Sequence, residues 1–124
     1  MASRYAVGLP WNWDTTAGTK WATTSGGAGG ASVPTSADDV FFDSSSGSGE
    51  ATISGSAPSV KSLTCVAGFT GTISGALGFD INVYGNVSLC SGMTWAGYAT
   101  GNFGSGFTFQ ASGTFSQNGA TMTN

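Results

Sequence analysis

Phe79-Asp80-Ile81-Asn82-Val83-Tyr84-Gly85-Asn86-Val87-Ser88-Leu89 carries an apolar or small residue at every second place and mostly polar residues between. A period of two sends alternate side chains to opposite faces of an extended strand. Ile81, Val83, Val87 and Leu89 therefore belong on one buried face. The pattern recurs 28 residues on, where Phe107, Phe109, Ala111, Gly113 and Phe115 align with Phe79, Ile81, Val83, Gly85 and Val87. Ile53 stands the same distance before Ile81. A repeat of this length suggests a solenoid whose coils stack their apolar positions on one another.

Shorter runs of the same kind fill the rest of the chain: Val40 with Phe42, Ala51–Ser54, Val60–Val66, Gly71–Ser74, Met93–Tyr98 and Phe107–Ser116. Gly, Ser, Asn or Pro bounds each of them, and no segment shows helical spacing. The expected fold is all-β, a β-solenoid of stacked strands, with a jelly-roll-like β-sandwich as the alternative. The length of 124 residues fits a single domain, 1–124. Within it, 1–36 reads as an aromatic N-terminal segment and Gly/Ser loop, and 37–124 as repetitive strands. The unfinished alternation at Ala120–Asn124 reads as the start of another strand. It calls for a partner chain or a longer chain to cover the last coil.

Composition narrows the functions. Only 7% of the residues are charged, the net charge is −3, and histidine is absent. Arg4, Lys20 and Lys61 cannot assemble the basic stripe that phosphate binding needs, so no nucleic-acid partner is expected. No apolar run approaches the roughly 20 residues of a membrane-spanning helix. Without histidine the commonest general base and metal ligand are missing, and no cofactor or metal is expected. Two cysteines permit one disulfide. Cys65 shares a face with Leu63, whereas Cys90 falls out of step with Val87 and Leu89, so two reduced, buried thiols are the simpler reading and a bridge stays open.

The acids are Asp14, Asp38, Asp39, Asp43, Glu50 and Asp80. Asp39 and Asp43 are the best pair for glycan cleavage, but their turn context offers nothing to raise either pKa. Calcium binding by Asp38, Asp39 and Asp43 is the other reading. The simpler one has Asp38 and Asp43 capping the ends of the Val40–Phe42 strand. At the N-terminus, Tyr5, Val7, Leu9, Trp11 and Trp13 share one parity, with Pro10 as a break. Trp11, Trp13 and Trp21 are the candidate interface or glycan-binding residues: large aromatics anchor cores and subunit contacts, and exposed ones stack on sugars.

Trp11-x-Trp13-Asp14, then Lys20-Trp21, then the run from Ser25-Gly26-Gly27 through Val33-Pro34-Thr35-Ser36-Ala37-Asp38-Asp39-Val40 to Phe42-Asp43, resembles the opening of Gly/Ser/Thr-rich structural proteins of tailed phages. Phe41 departs from that pattern, where a smaller residue is usual. The resemblance implies a fibre-like β-solenoid in a virion and supplies no catalytic residue. The expected function is a non-enzymatic structural subunit of a phage particle, a fibre, decoration or tail-associated protein. Its expected partners are other virion proteins and copies of itself, most simply as a homotrimer. The alternative is a glycan-binding adhesion module directed at a host surface.

Overall fold

The computed structural model describes residues 2–54, 57–75, 81–96, 107–109 and 113–123. Apart from one short 3-10 turn at Ser44–Ser46, the regular structure is all strand. In chain order these are β1 (Ala2–Ala6), β2 (Trp11–Trp13), β3 (Trp21–Ala22), β4 (Asp38–Phe42), β5 (Glu50–Ile53), β6 (Ser59–Val60) and β7 (Ser62–Cys65). There follow β8 (Thr72–Gly75), β9 (Ile81–Val83), β10 (Val87–Ser88), β11 (Thr94–Ala96), β12 (Phe107–Phe109), β13 (Phe115–Ser116) and β14 (Thr121–Thr123).

They form three sheets. The first has the order β13-β10-β7-β4-β1-β3, the second β14-β11-β8-β5-β2, and the third β12-β9-β6. From β4 onward the chain visits the first, second and third sheets in turn and then returns to the first; each such circuit is called a tier below. Among the described residues every pair is parallel except β1 with β3.

The register aligns apolar residues into columns. Val40, Leu63, Val87 and Phe115 stand opposite one another in the first sheet. Trp11, Ala51, Ile73, Trp95 and Met122 do so in the second. Val60, Val83 and Phe109 do so in the third. The buried members of these columns join Ala6, Trp13, Phe42, Ile53 and Ile81 in a single core cluster. Ile81, Val83, Val87 and Leu89 are buried as their alternation predicts.

Corners account for most departures from the sequence reading. The run Val60–Val66 is two strands in two sheets, because the chain turns at Lys61 between β6 and β7. The run Phe79–Leu89 likewise divides at Gly85, where a Cβ would stand 2.6 Å from the Lys61 carbonyl oxygen of the tier before. Phe107–Ser116 also contributes to two sheets, as β12 and β13. The 28-residue repeat is correct for Val87 and Phe115, but Ile81 pairs with Phe107 rather than Phe109, and Ile53 pairs with Gly75 in the second sheet whereas Ile81 lies in the third. Corner loops of different length make the spacing vary from sheet to sheet.

Two further expectations change. Phe115 is exposed, because no strand lies beyond β13 among the described residues. The single N-terminal face does not form: the turn at Gly8 (φ +72°) separates β1 from β2. Ala6 and Trp13 are consequently the buried residues, while Tyr5 faces outward and stacks on Phe41, ring centroids 4.7 Å apart. Phe41 thus has a neighbour that uses its size. The expectations at Phe79, Asp80, Ala111 and Tyr98 fall outside the described residues, as do the side chains of Phe107 and Phe109.

Candidate functional site

The N-terminal end of the stack is built around its aromatic residues. Trp13 and Trp21 are fully buried. Their rings lie 5.1 Å apart, edge to face, and each packs on Phe42, which in turn meets Phe69 at 5.3 Å. Such contacts combine large apolar burial with the tilted geometry that ring quadrupoles favour. The buried indole N–H groups of Trp13 and Trp21 have no hydrogen-bond partner, so packing alone holds these rings.

Trp11 is half-buried. Its ring lies 5.0 Å from Trp21, and its indole N–H donates to the Val7 carbonyl at 2.7 Å. The Lys20 ammonium stands 5.9 Å from the Trp11 ring centroid and donates to Asp14 at 2.9 Å and to the Asn12 carbonyl. Two of the three candidate tryptophans are therefore core, and the third shares its ring with a lysine. No three-ring platform faces solvent.

The same residues close this end of the stack. β3 runs antiparallel to β1 and so ends the parallel stacking there. Lys20 occupies the Asn12 carbonyl of β2, the last strand on this side of the second sheet. Arg4, at the column position of Val40, donates to the Ser32 carbonyl at 2.8 Å and to its hydroxyl at 2.7 Å, binding the Gly/Ser loop to the first tier. That loop also passes close to the 14–20 turn: a Cβ at Gly29 would lie 2.1 Å from the Thr19 carbonyl oxygen. A short antiparallel strand and edge lysines are ways in which proteins blunt sheet edges.

The carboxylates serve turns. Asp38 accepts from the Thr35 N–H at 2.9 Å and from its hydroxyl at 3.2 Å, just before β4. Asp43 caps the 3-10 turn through the Ser45 N–H, exchanges a capping box with Ser46, and accepts from the Ser25 hydroxyl at 2.6 Å. Asp39 accepts from Ser62 of the next tier at 2.6 Å, and Glu50 accepts from Ser74. Asp14 is held below the usual carboxylate range, first by the Lys20 hydrogen bond and then by the Thr16 N–H. Among the described residues no group of three or more Cys, Asp or Glu side chains is placed to hold a metal ion.

Two depressions stand out among the described residues. One, of about 360 Å³, lies beside Asp14, Thr15, Pro34, Thr35 and Pro58, with Asp14 and Thr35 already engaged as described. The other, of about 310 Å³, is lined by Cys65, Ala67, Ser88, Cys90, Ser91 and Asn118. Both thiols are free and buried, so the reduced reading agrees with the structure. Burial, and secondarily the neighbouring Cys90, push the Cys65 thiol well above its ordinary pKa. The alternation of single residues gave no sign that the two cysteines share a pocket, because that depends on which tiers adjoin.

Comparison with family models, curated proteins and solved structures finds no match to this chain.

Proposed function

We propose that the chain is a non-enzymatic structural subunit that acts by assembly, a β-solenoid serving as a fibre, decoration or tail-associated protein of a phage virion. The in-register parallel ladders of three sheets support the solenoid reading. The observation that carries the assembly role is the contrast between the two ends. The first tier is closed by β3, Lys20 and Arg4, whereas the last leaves Phe115 and Met122, which pair with the buried Val87 and Trp95, 41% and 40% exposed.

The proposed occupant of the open end is a second copy of the chain, stacked end to end, in place of the homotrimer that the sequence reading favours. Among the described residues the opposite end has its edges short or occupied, so the open tier of one copy best meets the open tier of another. Edge strands with apolar side chains on one face favour such pairing. The virion setting rests on the resemblance of the Trp11–Asp43 segment to tailed-phage structural proteins. The glycan-binding alternative has less support, because Trp13 and Trp21 are core residues.

Sedimentation velocity of the full chain tests the assembly role. A dimer is expected for the wild type, and a monomer for a variant combining Phe115→Asp with Met122→Lys. A wild-type chain that remains monomeric at high concentration overturns it. Antibody labelling of intact particles tests the virion setting separately.

A further inference from the structure

We infer that Cys65 and Cys90 form a dithiol modification site, which a small disulfide oxidant converts into a covalent bridge between consecutive tiers. Both residues line the same pocket, and neither is bridged. Thr64 of β7 pairs with Ser88 of β10, so one further step places Leu89 opposite Cys65 and Cys90 one residue beyond. In a regular ladder, with strands about 4.8 Å apart and a rise of about 3.3 Å per residue, such a diagonal is roughly 6 Å between Cα atoms. Disulfides span Cα separations of about 4.4–6.8 Å.

Regular alternation would point Cys90 away from Leu89's side. Instead β10 ends at Ser88, and Leu89 and Cys90 are both buried. The Cys90 thiol lies 3.6 Å from the Phe69 carbonyl oxygen, in the loop that follows Cys65. The departure from alternation at Cys90 therefore leaves the second sulfur against the tier that carries the first.

The co-reactant is a low-molecular-weight disulfide such as oxidised glutathione. The Cys90 thiolate attacks one glutathione sulfur, forming a mixed disulfide and expelling one glutathione thiolate. Cys65 then loses its proton to solvent, and its sulfur attacks the Cys90 sulfur, expelling the second glutathione. Two protein thiols are oxidised and one glutathione disulfide is reduced to two glutathiones. Cys90 acts first because it is the more exposed of the two, and burial holds the Cys65 thiol protonated. The thiolate is the attacking species, so closure accelerates as pH rises.

The test is incubation of the folded full chain with oxidised glutathione, followed by intact mass and non-reducing peptide mapping. The expected result is loss of two hydrogens per chain, a peptide linking Cys65 to Cys90, and a higher thermal midpoint that reverts on reduction. Cys65→Ala should stop at a glutathione adduct on Cys90, and Cys90→Ala should react far more slowly. A stable adduct on wild-type protein without a bridge, a link between chains, or no reaction overturns the inference. If either variant fails to fold by circular dichroism, the linked peptide from wild-type protein decides alone.

Discussion

Val87 and Phe115 stand directly opposite each other in the last parallel pair of the first sheet, yet Val87 is 1% exposed and Phe115 41%. The same step separates Trp95 from Met122 in the second sheet. Both columns lose their cover at one tier. Burial in this architecture is supplied by the neighbouring tier as much as by the residue's own strand, so the outermost tier of the described residues is the one whose apolar side chains are most exposed.

This contrast sets the first prediction. Phe115→Ser should cost under about 1 kcal/mol of chain stability, because much of its surface is already in water. Trp95→Ala, one tier inside, should cost about 3–5 kcal/mol. Urea unfolding of both variants at a concentration where the chain is monomeric checks the difference, and equal losses would contradict the exposure pattern.

Trp13 and Trp21 belong to the core, so Trp13→Ala should also cost about 3–5 kcal/mol. Trp11→Ala should cost less, since Trp11 is only half-buried. Neither change should alter self-association while the protein remains folded. A Trp11 variant that folds normally but no longer dimerises would move the interface to the N-terminal end.

Ile81→Ala or Leu63→Ala should cost about 2–5 kcal/mol, whereas Ser88→Ala, on the outward side of β10, should stay within about 0.5 kcal/mol. Thermal unfolding followed by far-UV circular dichroism measures these losses. Similar sensitivity at both kinds of position would mean that the register is wrong.

The Asp14–Lys20 pair predicts a modest pH dependence. The folded-state pKa of Asp14 is lowered, so its contribution is fully present above the unfolded value of about 3.9 and fades as pH falls through the folded value. The carboxylate is 30% exposed, which keeps the effect small. Urea midpoints measured between about pH 6 and pH 2 should fall less steeply for Asp14→Asn than for the wild type. Parallel curves would show that the pair contributes nothing.

The all-β character, the buried parity of Ile81, Val83, Val87 and Leu89, and the turn roles of Asp38 and Asp43 were all legible in the sequence. Each depends on near neighbours in the chain: a period of two, or a short acidic side chain beside exposed backbone N–H groups. Alternation could not reveal the corners at Lys61 and Gly85, because it continues across a bend between sheets when side chains on both sides point inward. Only the tertiary structure decided that Trp13 and Trp21 are core, that Arg4 and Lys20 close one end, and that Cys65 and Cys90 share a pocket. Those outcomes depend on contacts that strand alternation does not relate, from eight positions apart for Lys20 and Asn12 to 28 for Arg4 and Ser32, where loop lengths set the register and local propensity carries no information.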